Sequence, residues 1–371
     1  MKKIPVLKPT PRPSDHELVG EVIDSSWWGK GPKVEELEKK FAKRVGKKYA
    51  TAVSSGTAAL DMALKAYGIR DGEVIVPTMT FTSTAAVAYY QENLRARLVD
   101  IREDDLNIDL DNLEIREDTK AIIPVTMAGN TVSGLEGLRK KFKGLIIEDC
   151  AHAVFNTEVG KYSDVQCWSF QAVKTCPAGD GGMLTYDDPK IHERLKELTW
   201  MGIKETTYDR SKGTYNYDYD IKTLGYKTYM NDLTAALVLS QMQHVDRKNS
   251  WRRHIVARYF KDMFGMQCHV LFSPTVQSAI LSVEDEKDRD GLIDYLKDKG
   301  IMTSVHYKPL HKMTFYKEKL EKGQTFPVAD KIWKKLISFP CHDDVTEEDI
   351  DYIIKCTNKY YAKRAKSKSK D

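Results

Sequence analysis

From residue 33 to about residue 245, short apolar runs alternate with segments whose apolar residues recur at helical spacing. That alternation leaves few folds open. Strands joined by helices pair in parallel, and the helices then cover both faces of the sheet. Residues 34–45 carry apolar positions at helical spacing among charges, 49–53 read as a strand and 57–66 as a helix. Residues 73–76 read as a strand closed by Pro77, followed by an apolar, buried helix over 83–90. Further strands are expected at 97–100, 121–125 and 144–147, with a helix over 135–142, and further helices at 191–198 and 232–245. The polar, tyrosine-rich stretch 202–228 reads as an ordered loop. Past a charged segment near 246–260, a strand at 279–283, a helix at 288–299 and a closing amphipathic helix at 347–360 fit a smaller α+β unit, with Thr346 as the cap of the last.

The expectation is therefore an α/β protein: a large domain over 1–245 with a mainly parallel central sheet, a small C-terminal domain over 246–360, and a basic, disordered tail over 361–371. At 371 residues, two domains suit the length. Apolar content of 41% and charged content of 30% belong to a globular protein, and no run is long and apolar enough to cross a bilayer. Met1-Lys2-Lys3-Ile4-Pro5 lacks the apolar stretch of a secretory signal, and the six cysteines form no Cys-x-x-Cys pair, so a reduced, cytoplasmic protein without metal is expected. Net charge is only +4, with much of the excess in the tail, and no basic face carries interleaved aromatics; neither nucleic acid nor a membrane is expected as a partner.

The chemistry concentrates around Lys174. Alternating apolar residues from Val165 to Phe170 read as a buried strand that delivers the hydroxyl of Ser169 and then the amine of Lys174 into one pocket, ahead of Gly179-Asp180-Gly181-Gly182. A lysine becomes a nucleophile toward an aldehyde when partial desolvation frees its lone pair. Asp149 ends another buried strand, where α/β proteins place functional groups; its neighbour Glu148 faces the opposite side and is the alternative, structural acid. His152, three residues on, reads either as a ligand of a ring oxygen or as a satisfied core histidine. Ser54-Ser55-Gly56-Thr57 forms a strand-to-helix turn whose free N–H groups suit a phosphate, or serve as a plain cap. Phe81 reads as a stacking surface or as core. An amine for a Schiff base, an acid for a pyridine nitrogen and donors for a phosphate are the parts of a pyridoxal 5'-phosphate (PLP) site.

These residues resemble the sugar-nucleotide aminotransferases of the DegT/StrS group, PLP enzymes of the aspartate-aminotransferase fold, fold type I. The likeness runs nearly end to end: Trp28-Gly29-Lys30-Gly31-Pro32-Lys33-Val34 at the N-terminal segment, VSSGTAALDMAL at the phosphate turn, VIVPTMTFTSTAAV at the stacking segment, IIEDCAHA at the pyridinium acid and SFQAVK with GDGG at the lysine. By that resemblance Lys174 carries PLP and shuttles protons, Asp149 pairs with the ring nitrogen, His152 lies near the ring oxygen, Phe81 stacks, and Ser55, Gly56, Thr57 and Ser169 hold the phosphate. The implied reaction is a ping-pong transfer of the amino group of L-glutamate, through pyridoxamine phosphate, to a keto sugar on a nucleoside diphosphate, foremost a 4-keto-6-deoxyhexose, in amino-sugar and lipopolysaccharide biosynthesis. A non-nucleotide keto sugar or keto-cyclitol, and a PLP-binding sensor without turnover, are the alternatives.

The resemblance also implies a homodimer with shared active sites, with departures from the family pattern. Where the family often carries a Gly-x-Asn-x-Arg-like segment, this chain reads Gly225-Tyr226-Lys227-Thr228-Tyr229. Lys227 replaces the asparagine and can neutralise the neighbouring subunit's phosphate as a point charge; Tyr229 stands near the place of the missing arginine. The stretch 125–130 lacks a histidine often seen there. His306, Tyr307 and His311 resemble a segment that borders the substrate, with a surface turn around Pro309 as the alternative.

Overall fold

The computed structural model describes residues 2–211, 218–270 and 273–368. Seven strands form the large sheet: β1 (Tyr49–Val53), β2 (Asp71–Pro77), β3 (Asn93–Val99), β4 (Thr119–Ile122), β5 (Leu145–Asp149), β6 (Val165–Ser169) and β7 (Gly182–Tyr186), in the order β1-β7-β6-β5-β4-β2-β3. From β6 to β3 every pairing is parallel. Only β7, inserted between β1 and β6, runs antiparallel to its neighbours. The sequence reading missed β7 because its five residues follow a glycine turn and offer no separate period.

The pleat sorts side chains onto two faces. In β1, β6 and β7, Val53, Val165, Cys167, Leu184 and Tyr186 join the core under the helix Gly56–Ala66, whereas Ala50, Ala52, Trp168 and Met183 pack with Leu37 and Phe41 of the helix Pro32–Val45. That second helix is anchored by the carboxylate of Asp232, which accepts from the N–H groups of Gly31 (2.9 Å), Lys33 (3.1 Å) and Val34 (3.1 Å). It ends at Gly46 with φ +70°, a conformation glycine adopts without a Cβ penalty.

Beyond the large sheet, β8 (Met266–Cys268), β9 (Ala279–Val283) and β10 (Leu336–Phe339) form an antiparallel sheet in the order β10-β9-β8. It is covered by the helices Val245–Asp262, Glu286–Asp298 and Glu347–Lys368. Four details depart from the sequence reading. Residues 246–260 lie within one unbroken 18-residue helix, because the buried positions Val245, Asn249, Arg252, Val256 and Tyr259 keep helical spacing although several are polar. The N-terminal residues, assigned above to the large domain, pack on the small one: Ile4 is buried beside Ile301, and Lys2 pairs with Asp349 at 2.6 Å. The tail expected to be disordered from residue 361 is helical through Lys368; Tyr361 Oη donates to Met266 Sδ at 3.4 Å, and Arg364 pairs with Asp288. Within the loop expected at 202–228, Thr207–Ser211 forms a helical turn, and residues 212–217 lie outside the described residues. Among the described residues no helix is long and apolar enough to cross a membrane.

Candidate active site

The carboxyl ends of the strands converge on a cavity of about 500 Å³. The turn after β1 brings Ser55, Gly56 and Thr57; the segment after β2 brings Thr80 and Phe81; β5 and its exit bring Asp149 and His152; β6 and its exit bring Ser169 and Lys174; the small domain adds His306 and Tyr307. Ten of the residues singled out in the sequence thus meet in one place, as the crevice at the ends of a parallel sheet allows.

Asp149 is buried on the face of β5 that turns to the cavity. Its Oδ2 accepts from Thr84 Oγ1 (2.8 Å) and its Oδ1 from the Ala151 N–H (3.1 Å). Burial pushes its carboxyl above the usual carboxylate range, while these two donors and the Lys174 ammonium pull it back. An added cationic partner would complete that compensation. Glu148 points the other way, accepting from the Gly160 N–H (2.7 Å) and from Ser163 Oγ, so it is the structural acid of the pair.

Lys174 is half-buried in a loop held by the bond from its own N–H to the Gln171 carbonyl (2.8 Å). Loss of water around its amine lowers the ammonium pKa to about 8, against the opposing pull of Asp149. An appreciable fraction of the amine is therefore neutral near physiological pH, as nucleophilic attack requires. His152 accepts at Nδ1 from the Ala128 N–H (3.2 Å), which assigns the ring proton to Nε2, 3.2 Å from the Tyr307 hydroxyl. Burial, then Lys174 and His306, keep His152 neutral far below its ordinary titration. His306, with Nδ1 2.7 Å from Ser338 Oγ, is likewise held neutral, its pKa pushed down to about 4 by burial and by Lys174.

The phosphate turn is built for close approach. Ser55 Oγ accepts from the Ala58 N–H (3.0 Å) and caps the helix Gly56–Ala66, leaving the N–H groups of Gly56 and Thr57 without intrahelical partners. A Cβ on Gly56 would lie 2.9 Å from Ser169 Cβ and 3.2 Å from its Oγ, so the turn and Ser169 form one narrow cradle that only glycine permits. Phe81 is half exposed, and its ring centroid is 6.3 Å from that of Tyr307. A cradle of N–H and O–H donors, a buried acid and a desolvated amine in one cavity fit PLP.

Three residues are not brought there. His311 is buried behind the wall: its Nδ1 is 2.6 Å from Thr78 Oγ1, its Nε2 3.1 Å from Asp330 Oδ1, and its ring stacks on Phe326 at 4.3 Å. It ties the segment after β2 to the stretch 326–330 and does not border the cavity. Lys227 is exposed on the edge formed with Trp200, outside its own chain's cavity. Tyr229 packs edge-on against Trp200 (4.9 Å) in a separate aromatic recess with Trp27 and Trp28. Conversely, Thr84 carries the buried carboxylate and was not singled out in the sequence. Its only signal there is a hydroxyl pair, Ser83-Thr84, opening an otherwise apolar helix.

A model of the DegT/DnrJ/EryC1/StrS aminotransferase family matches residues 10–358. The spore coat polysaccharide biosynthesis protein SpsC of Bacillus subtilis (strain 168) is 35% identical over 361 residues, 91% of this chain and 91% of that protein. Among solved structures, the putative sugar aminotransferase Spr1654 from Streptococcus pneumoniae is similar in its PMP-form, with a TM-score of 0.89, and in its PLP-form, with 0.88. Both share 29% identity and cover 97% of this chain and 99% of theirs.

Proposed function

Because the chain belongs to the DegT/DnrJ/EryC1/StrS aminotransferase family and is a PLP-dependent sugar aminotransferase of amino-sugar biosynthesis, we propose that it moves the amino group of L-glutamate to a keto sugar carried on a nucleoside diphosphate, foremost a 4-keto-6-deoxyhexose. The observation that carries the site assignment is Lys174, a desolvated amine beside a buried carboxylate and a phosphate cradle.

PLP, when bound, supplies an electron-withdrawing ring that stabilises negative charge at the carbon bearing the transferred nitrogen. Gly56, Thr57, Ser55 and Ser169 would hold its phosphate, and Asp149, whose charged form the Thr84 hydroxyl and the Ala151 N–H favour against burial, would hold a proton on its ring nitrogen. Lys174 would hold the cofactor's aldehyde and, when free, would give and take protons at Nζ; a pKa of about 8 suits it to both directions near neutrality. His152 offers an Nε2–H toward Tyr307, whose own hydroxyl proton is then available to an acceptor in the cavity. L-Glutamate leaves as 2-oxoglutarate before the ketone enters, which gives ping-pong kinetics.

Two active sites are shared across a homodimer in this reading. Lys174 is the only lysine or arginine lining the cavity among the described residues, while a bound phosphate calls for a cation. Lys227, exposed next to the segment whose Thr228 carbonyl accepts from the Ser54 N–H (2.7 Å), is the cation we assign to the partner's phosphate. Met201, Ile221, Leu224 and Tyr226, all exposed around it, supply an apolar surface for that contact. Incubating the PLP-loaded protein with L-glutamate and a panel of nucleotide-linked keto sugars, followed by mass spectrometry, tests the substrate assignment. Amination of at least one member is expected. Amination of free keto sugars or keto-cyclitols alone would overturn the nucleotide assignment, and no amination of any ketone would overturn turnover itself.

A further inference from the structure

Gln277 lies outside the cavity, 2% exposed, just ahead of β9 in the small domain. Its side chain nevertheless grips both residues that flank Lys174. Nε2 donates to the Val173 carbonyl at 2.8 Å, and Oε1 accepts from the Thr175 N–H at 3.0 Å and from Thr175 Oγ1 at 3.1 Å. The amide thus pairs with the chain on either side of the lysine, much as a neighbouring strand would. A flipped amide would set acceptor against acceptor and donor against donor, so only one orientation satisfies it. Lys248 Nζ donates to the Thr175 carbonyl at 3.1 Å and completes the hold on that residue.

The main chain of Gln277 reaches the opposite wall. Its N–H donates to the Ala128 carbonyl (2.9 Å), and the Ala128 N–H is the donor that assigns the proton of His152 to Nε2. Arg252 Nη1 fixes the Gln277 carbonyl in turn (3.0 Å). One residue therefore stands between the loop carrying the amine and the loop orienting the histidine.

We propose that Gln277 is a positioning residue: by bracketing Val173 and Thr175 it fixes where Lys174 presents its amine to the aldehyde of PLP. The inference rests on the PLP-site reading above. The loop 170–178 belongs to neither helix nor strand; besides backbone bonds from Phe170, Ala172, Lys174 and Ala178, the buried bonds from Thr175 to Gln277 and the part-buried one to Val173 hold it. Gln277→Met keeps the length and removes all three bonds. Gln277→Glu keeps them only while protonated, since the acid O–H replaces the amide donor and the ionised form turns an oxygen lone pair toward the Val173 carbonyl.

The test is the rate at which PLP-free protein is labelled at Lys174 by PLP, trapped with borohydride and counted by peptide mass, alongside thermal unfolding. Displacement of a reacting group by about 1 Å costs up to about 100-fold, so Gln277→Met should be labelled about 10- to 100-fold more slowly while still unfolding cooperatively. Burial raises the pKa of the new carboxyl while the nearby Lys248 and Arg252 lower it, so Gln277→Glu should label at close to the wild-type rate where it is protonated and about tenfold more slowly relative to it once ionised, the ratio falling as pH rises from about 5 to about 8. If Gln277→Met does not fold, that pH-dependent ratio decides alone. Folded variants labelled at the wild-type rate at every pH would leave Gln277 an ordinary buried amide and overturn the proposal. Wild-type protein that takes no label at all would overturn the site reading as well, which separates the two failures.

Discussion

Replacing Thr84 by valine removes one donor from a buried carboxylate while preserving shape. Asp149 Oδ2 loses its 2.8 Å bond, and Thr80 Oγ1 loses the 2.9 Å contact it makes with Thr84. A hydrogen bond to an ionised group contributes about 1.5–3 kcal/mol and one to a neutral group about 0.5–1.5 kcal/mol. The loss at Asp149 therefore depends on pH, whereas the loss at Thr80 does not. Burial holds the folded-state pKa of Asp149 above its unfolded value, so its contribution is most favourable below the unfolded pKa and is lost as pH rises through the folded one. Without Thr84 that pKa rises further, since a donor that favours the charged form is gone. Urea unfolding of PLP-free wild type and Thr84→Val, at about pH 8 and at the lowest pH where both stay folded, reads the difference. The variant is expected to be less stable at both, with about 1–1.5 kcal/mol of extra destabilisation at the higher pH. Equal destabilisation at the two, or more at acid pH, would show that Asp149 is not ionised there and would refute the reasoning.

Labelling of PLP-free wild type at the lysine should speed up about tenfold per pH unit below about 8 and level off above it, because the neutral amine reacts; a plateau beginning above about pH 10 would contradict the lowered pKa. Gly56→Ala pushes a Cβ to 2.9 Å from Ser169 and should cost about 1–3 kcal/mol of stability with rapid loss of PLP on gel filtration; undiminished PLP retention would remove Gly56 from the cradle. Lys227→Ala should weaken PLP retention, and mixing it with Lys174→Ala during refolding should give activity at low PLP above that of either alone; absence of that gain would argue against sites shared between subunits.

Periodicity exposed most strands of the large sheet and the helices beside it from residue 32 on, but not the helix Pro13–Asp24, since the strands are apolar on both faces and those helices carry one apolar stripe. Strand β7, which follows directly on a glycine turn, and the strands β8 and β10 were not legible. The cavity residues were legible where chemistry is concentrated in consecutive positions, as at 54–57, 149–152 and 169–174. Residues that act through others were not. Thr84 and Gln277 lie 65 and 102 residues in sequence from the groups they hold, and nothing but the fold brings them together. His311 misled for the opposite reason: it lies five residues beyond His306, yet a turn of the chain sends it to Thr78 and Asp330.

The central claim is that Lys174 is the amine that binds PLP in this cavity. Borohydride reduction of the PLP-loaded protein, followed by peptide mapping, tests it most directly. A single phosphopyridoxyl label on Lys174, absent from Lys174→Ala, is the expected result. A label on any other lysine, or a protein that binds PLP and transfers amines unchanged after Lys174→Ala, would contradict it.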